Sequence, residues 1–597
     1  MRIHFREFII WNNLFVIALL VLSTEIFSFF NLINQYSIKI FWFIFLLFYL
    51  YFLKRNNLIK ITKEKFDLLN FESIFILTVF TLTFIIAIIY PPNTPDAISY
   101  HMTRVMNWIQ NANINFYPTN DFRELIMGPL SSILNLHLYL LVNGDYLTNL
   151  VQWYSMIISC LTISLISKEL GCNLRYQIFS ILFCASVPMG ILESTSSQTD
   201  YVATMWLTLI VYFTLKYINS NSKKYIYGFS IALGLGMLTK VTVYFFSLPF
   251  CLWLGVYIVL KKRKNWKFFF VIPLIVLVLN LGHFTRNVNF SGNPLGLSNE
   301  DNIFVNKTFN AKSLTSNIIR HLGLNLAVPN HSINLYTIEK IEKLHDYLKI
   351  STNDNGTTLL PNKSFTIFFS LYESFASNPL HLIIFFIVIF LIFFKKKLLS
   401  IHKYYFYSII GGFILFCLFI KWSIWNNRYL LSFFILAAPI VSYSLFKLEI
   451  KKFTSMIIIV LSIWSIPYIL FNKSRPLVAS LKNENNIISI HKPFFLNLKR
   501  DQLYYSALNF GDLYLRHYNI SMKIKKAGCE NIGSFFSPII NPNTYPFWVF
   551  IKNKNNLNPK IFNIDVNNNS ANYFSKKFKN HEICAIVDFD NLKLTLK

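Results

Sequence analysis

Residues 225–264 read YIYGFSIALGLGMLTKVTVYFFSLPFCLWLGVYIVLKKRK, and the way this stretch spaces its charges decides the fold. Two apolar runs flank one cation, Lys240, and the second run ends in four consecutive cations, Lys261 to Lys264. Each run is about as long as a helix needs to cross a hydrocarbon core. Cytoplasmic loops carry the Lys/Arg excess of membrane proteins. The cluster therefore marks a cytoplasmic end, and the lone Lys240 marks the opposite, exterior end.

Outward from this pair the same alternation runs through the chain. Apolar runs fall at 8–30, 37–54, 70–90, 149–168, 174–192, 200–218, 225–242, 243–261, 266–284, 379–396, 402–421, 428–447 and 454–471. Basic residues fill every second loop. Arg2 and Arg6 precede the first run, and Lys54, Arg55, Lys60, Lys63 and Lys65 follow the second. Lys168 with Arg175, Lys223 with Lys224, Lys261 to Lys264, Lys395 to Lys397, and Lys447 with Lys451 and Lys452 continue the series. The expected topology is an all-α polytopic membrane protein of about 13 spans, N-terminus cytoplasmic and C-terminal tail extracytoplasmic. The first run is too long for a cleaved leader and has no small-residue cleavage site after it, so it is read as a span.

Composition agrees. A hydrophobic fraction of 54% and an aromatic fraction of 17% exclude a soluble globular chain and a disordered one. The net charge of +28 sits mostly in juxtamembrane loops and in the tail, where topology and anionic headgroups account for it, so no nucleic-acid partner is expected. Four of the seven cysteines, Cys160, Cys184, Cys251 and Cys417, fall inside spans as small apolar fillers. Cys172 is in a cytoplasmic loop; Cys529 and Cys584 share the tail, where pairing is left open.

The transmembrane module is expected over 1–474, with long exterior stretches at 91–148 and 285–378, and a soluble domain over 475–597. Pro91, Pro92 and Pro95 end the third span. A helical pattern follows from Asp96 to Ala112, with Ile98, Met102, Val105, Met106 and Ile109 on one side. Residues 129–142 are apolar but too short to cross, and counting them as a span would invert every later loop. The second stretch is helical around Tyr336 to Leu348. In the tail, 502–526 has a helical pattern, followed by strand-like runs at Ile532–Phe536, Phe547–Ile551, Ile561–Val566 and Ile583–Asp588, which suggests a small α/β unit.

Ionisable groups at a membrane's edge are costly and therefore candidates for function. On the exterior side lie Asp96, Glu193, Asp200 and Glu373, with four lone cations, Lys240, Arg286, Lys421 and Arg428. Cations there oppose the positive-inside bias, and a lipid phosphate at headgroup level would compensate them. For any one of them snorkelling to the headgroups is the plainer account. Asp96 and Asp200 also suit helix caps. Helical spacing puts Asp96, Tyr100 and Arg104 on one ridge with His101 beside it.

These positions carry a resemblance. The stretch from Tyr90 through Pro95-Asp96-Ala97-Ile98-Ser99-Tyr100-His101 and Arg104 to Gln110 resembles the first exterior loop of GT-C-fold membrane glycosyltransferases. It is most similar to a bacterial branch of the family 39-type enzymes, related to protein O-mannosyltransferases and the lipid A aminoarabinose transferase. Gln198-Thr199-Asp200, Leu238-Thr239-Lys240, Arg286-Asn287 with Gly292-Asn293-Pro294-Leu295-Gly296, Asn378-Pro379-Leu380-His381, and Lys421-Trp422 through Arg428 follow in order. The likeness runs over about 90–450, and the tail from Ser474-Arg475-Pro476 shares it. It implies a GT-C-like fold in the cell inner (cytoplasmic) membrane, a polyprenyl-phosphate-linked sugar as donor, and a lipid, glycan or protein acceptor reached from outside. Asp96 is then the expected catalytic base in an inverting displacement. His101, Arg104, Asp200, Lys240, Arg286, Asn287, Glu373 and Arg428 are the expected substrate-binding residues. Ala97 stands where many members have a second acid, and Ser374 follows Glu373 where an acidic pair is expected, which leaves a divalent metal open. Three other functions compete: a surface-polysaccharide polymerase or ligase with a diphosphate-linked donor, a lipid-linked substrate transporter or flippase, and a noncatalytic membrane scaffold. The transporter predicts charges at mid-bilayer and repeated broken helices, whereas the charges here gather at the outer edge.

Overall fold

The computed structural model describes residues 2–55, 60–62, 69–296, 303–361, 365–394, 398–478, 480–484, 487–491, 495–496, 498–505, 511–537, 542–552, 559–573 and 583–597. Lys63, Lys65 and Lys395 to Lys397 lie outside the described residues. Within them a helix stands at every expected span. Ten are long and apolar enough to cross a membrane by length and composition. The chain is a multi-pass membrane protein. The other three expected spans are shorter, at Leu174–Ala185, Lys224–Met237 and Pro379–Phe394. Leu174–Ala185 stops because Pro188 cannot continue a helix hydrogen-bonded through its own nitrogen, and a new helix, Pro188–Glu193, starts there.

Contacts between helix ends follow the alternation read from charge. At one end Arg6 donates to Ser164 Oγ at 2.8 Å and Gln177 Oε1 at 2.9 Å, Tyr225 donates to Glu7 at 2.9 Å, and Lys216 pairs with Glu169 at 2.5 Å. At the other, Asn149 Nδ2 donates to Tyr90 O at 2.8 Å and Lys473 N to Leu371 O at 2.9 Å. Among the described residues, the N-terminus is thus gathered with the helix ends around 164–177 and 216–225, and the helix end at Asn149 with that at Tyr90. The helices Asp200–Ser220 and Leu431–Leu448 run through its middle, with nearly every side chain buried, while Gln35–Arg55 buries only Ile38.

The first exterior stretch departs from the expected helix. A π-helical turn, Ala97–His101, precedes the α-helix Met102–Asn111. The wider turn brings the fifth residue on, rather than the fourth, beneath its predecessor. Of the expected ridge of Asp96, Tyr100 and Arg104, it is Arg104 that is turned away, onto the main-chain carbonyls of Arg123 and Gly128. Leu130–Val142 is a 13-residue helix, shorter than a crossing, pinned against the first two spans by its His137. Trp42 Nε1 donates to His137 Nδ1 at 3.0 Å, and Thr24 Oγ1 lies 2.8 Å from its Nε2. In the second stretch the helix His331–Leu348 is joined by Ala311–Leu324, which the reading of the sequence had not singled out.

The tail contains a four-stranded sheet. Asn531–Phe535 pairs in parallel with Lys560–Asn563 on one side and Ala585–Asp588 on the other, and Lys593–Leu596 adds an antiparallel edge. The expected strand Phe547–Ile551 is instead part of a helix, Thr544–Ile551. Its side chains are buried nearly all round, so the run is apolar throughout and has no period that could separate helix from strand. The expected helix over 502–526 is Gly511–Lys526, with a short turn at Arg500–Leu503 before it. Cys529 and Cys584 form a disulfide. The tail and the first exterior stretch share one apolar core, in which Met102, Val105 and Leu136 meet Tyr545, Phe547 and Val587. Asp145 fastens the two, accepting from Tyr504 at 2.5 Å, Tyr545 at 2.8 Å and Arg500 at 2.8 Å.

Candidate active site

The three prolines after the third span leave Asp96 at the mouth of the π-turn. Thr94 Oγ1, not Asp96, accepts from the first free backbone N–H, that of Ala97, at 3.3 Å. Asp96 makes no capping bond. Its carboxylate points instead at Arg428, whose Nη2 lies 2.5 Å from Oδ2, with side-chain exposures of 16% for the acid and 9% for the base. Burial alone would raise the pKa of Asp96. Arg428, then Arg123 and His101, override it and hold the carboxyl well below the usual carboxylate range.

Arg428 opens a single tight turn, Arg428–Leu430, ahead of a central span. Its other nitrogen, Nη1, donates to Gln198 Oε1 at 3.0 Å. Gln198 belongs to the buried turn before Asp200–Ser220, and Asp200 in the first helical turn meets Lys240 Nζ at 2.6 Å. Asp200, like Asp96, makes no cap. Tyr429 separates the two cations: its ring centroid is 4.2 Å from Lys240 Nζ and 5.1 Å from Arg428 Cζ. Two acids and two cations from four distant segments thus share one site at one end of the bundle.

Glu193 and Glu373 are fully buried behind it. Gln152 Nε2 donates to Glu193 at 2.9 Å. Glu373 pairs with Arg475 at 3.3 Å and accepts from Ser474 Oγ. Arg475, with no exposed surface, also donates to Asn93 Oδ1 at 2.7 Å and Thr195 Oγ1 at 3.0 Å. It ties the loop carrying Asp96 to the turn carrying Asp200.

The other expected residues divide. His101 joins the site, its ring 4.2 Å from that of Tyr100. Arg104 is buried and spends its guanidinium on main chain, donating to Arg123 O at 2.7 Å and Gly128 O at 3.4 Å. Arg286 is held elsewhere, forked onto Glu25 of the first span at 2.9 and 2.7 Å. Asn287 donates to Pro294 O at 2.9 Å and shapes its own loop. Lys421 enters none of these ion pairs. Among the described residues no group of three His, Cys, Asp or Glu stands close enough to hold a metal ion.

Several members of the site were not legible as such. Arg123 is held by Asp121 at 2.6 Å with its Cζ 4.8 Å from the Tyr100 ring centroid, facing Asp96. Flanked by acids, it reads in sequence as ordinary loop charge. Tyr429 carried no signal beyond its position, and Arg475 stood out only within the tail motif Ser474-Arg475-Pro476. Glu25 did carry one, as an acid inside an apolar run.

No curated protein matches the chain. Among solved structures it is similar to ArnT from Cupriavidus metallidurans bound to undecaprenyl phosphate, at 12% identity and a TM-score of 0.41 over 80% of this chain and 74% of that one. It is also similar to the S. cerevisiae protein O-mannosyltransferase Pmt1-Pmt2 complex bound to the sugar donor, at 14% identity and a TM-score of 0.28 over 42% of this chain and 37% of that one. Residues 130–283, the segment holding Gln198, Asp200 and Lys240, match the family model described as dolichyl-phosphate-mannose-protein mannosyltransferase, the kinship that the exterior motifs resemble.

Proposed function

We propose that the chain is a membrane glycosyltransferase that moves a sugar from a polyprenyl-phosphate donor to an acceptor hydroxyl, with Asp96 as the base. The observation that carries this is the double ion pair: Asp96 with Arg428 at 2.5 Å, Asp200 with Lys240 at 2.6 Å. Such a pairing keeps two cations poised at one end of an apolar bundle, where a lipid's phosphate sits while its chain lies among the helices. A phosphate arriving between Arg428 and Lys240 competes with the two carboxylates for them. As Arg428 turns to the phosphate, Asp96 loses its counter-charge and becomes more basic, so donor binding itself readies the base. Asp96 then accepts the acceptor's proton as the hydroxyl oxygen attacks the anomeric carbon. The phosphate leaves with growing negative charge, which fixed guanidinium and ammonium groups stabilise. One displacement inverts the anomeric centre and needs no covalent enzyme intermediate. The family match over 130–283 supports a lipid-phosphate sugar as donor, and the basic loops favour an exterior site in the cytoplasmic membrane.

Asp96→Asn keeps the side chain's size and removes its basicity. Transfer from synthetic polyprenyl-phosphate sugars should fall by about 100-fold or more, while undecaprenyl phosphate still binds. Near-normal turnover would refute the assignment of the base.

A further inference from the structure

Tyr372 immediately precedes Glu373, in the exterior loop ahead of Pro379–Phe394, and takes no part in the ion pairs described above. Its segment is bonded to both halves of the candidate site. On one side Glu373 pairs with Arg475, which donates to Asn93 in the loop that carries Asp96. On the other, Asn427, next to Arg428, donates from Nδ2 to Phe375 O at 3.5 Å and to Leu324 O at 3.2 Å. The main-chain N–H groups of Phe375 and Ala376 both donate to Tyr372 O at 3.0 Å, and the Tyr372 and Phe375 ring centroids are 5.4 Å apart. The segment is thus clamped between the Asp96 loop and the Arg428 turn. Tyr372 is 6% exposed, yet its hydroxyl has no hydrogen-bond partner among the described residues. Ser374 acts on that hydroxyl without reaching bonding geometry. Buried polar groups are nearly always satisfied, so a phenol left open at this place calls for a ligand atom.

The hydroxyl feels a charge that it does not touch. Burial, then the Glu373 carboxylate, hold the phenol well above its ordinary range, with Asp96 acting in the same sense and Arg475 against it. The phenol stays a neutral O–H, and it stands near Asp96 without bonding to it. An atom that joins the two must accept from Tyr372 and donate to Asp96. The phosphate of a lipid-linked sugar carries no proton and cannot do this. A hydroxyl can, and the acceptor hydroxyl is the group that must give its proton to Asp96.

We infer that Tyr372 binds the acceptor: its phenol donates a hydrogen bond to the acceptor's hydroxyl oxygen, whose own proton points at Asp96. One lone pair of that oxygen accepts from Tyr372 and the other attacks the anomeric carbon. The new C–O bond forms as the bond to the phosphate oxygen breaks, the acceptor's proton passes to Asp96, and Tyr372 keeps its own. The inference rests on the transferase reading above and adds a residue for the acceptor. The experiment compares the full-length wild type and Tyr372→Phe in lipid nanodiscs, with undecaprenyl-phosphate-linked hexoses and pentoses as donors and with water and glycerol as acceptor probes. Phenylalanine keeps the ring and removes one oxygen that bonds nothing in the free protein, so the melting temperature should hold or rise. Donor affinity should stay within about twofold, while sugar release to water and to glycerol at saturating donor should fall at least about tenfold. A hydroxyl of the donor sugar offers the same chemistry, and predicts that donor affinity falls as far as the rate or further. A packing role predicts a lower melting temperature with an unchanged rate per folded molecule. Either pattern, or a wild-type rate in Tyr372→Phe, overturns the inference and leaves the transferase reading in place. A wild type that turns over none of the donors refutes the transferase reading and takes the inference with it.

Discussion

Removing Arg428 should change the pH dependence of the proposed sugar transfer, and by a calculable amount. In Arg428→Gln, Asp96 loses a partner 2.5 Å away in a pair whose side chains are 16% and 9% exposed. Two unit charges in contact near a protein surface attract by about 4 kcal/mol before desolvation is counted. Burial, which raises the carboxyl's pKa, is then opposed chiefly by Arg123. A carboxylate beside an arginine is typically held down by about 1–3 pH units, so losing Arg428 should return about that much. The sign follows from protonation. With its folded pKa depressed, Asp96 stays ionised, and the pair's stabilising contribution is complete above the ordinary carboxylate range and lost as pH falls through the folded value. A base must be ionised, so the rate falls on the acid side where Asp96 takes up a proton. In Arg428→Gln that acid limb should therefore move upward, on top of a lower plateau from the lost phosphate contact. The assay is transfer from a lipid-linked sugar across pH, with Asp96→Asn as the control whose residual rate lacks the limb. An acid limb in Arg428→Gln that coincides with that of the wild type would refute both the coupling and the identity of the base.

Two further outcomes follow from other contacts. Reducing the Cys529–Cys584 bond, or replacing Cys584 with Ser, should destabilise the tail by about 2–4 kcal/mol, seen as a lower melting temperature; equal melting with and without reductant would contradict it. A methyl group on Gly282 would lie 2.5 Å from the Glu25 carboxylate, so Gly282→Ala should push Glu25 off Arg286, destabilise the bundle by about 1–3 kcal/mol, and leave donor dependence nearly unchanged. A change in donor KM as large as in Arg428→Gln would instead assign Arg286 to the phosphate site.

The spans and their alternation were written in composition and charge. A helix must bury all its backbone groups within itself to cross lipid, so apolar length alone announces it, and the basic loops announce its ends. Lys240, alone between two such runs, was already marked as belonging to the other side from Lys261 to Lys264. Asp96 was legible too, because three prolines stop a helix at a membrane edge and leave one acid there. Which charge meets which was not legible. Arg286 and Arg428 look alike in sequence, each a single cation at an exterior helix end, yet Arg428 reaches Asp96 and Gln198 while Arg286 closes on Glu25. That choice depends on which helices are neighbours and how each is rotated, and local propensity contains neither. The π-turn at Ala97–His101 shows the same limit on a smaller scale. A change from 3.6 residues per turn there goes with Arg104 meeting main-chain carbonyls rather than Asp96. In the tail, Phe547–Ile551 is strand-like by composition but helical in place, because burial on all sides erases the period that separates the two. Sequence determined what must lie in lipid and what must not; packing alone decided which side chains face each other, since that is a property of pairs of helices rather than of either one.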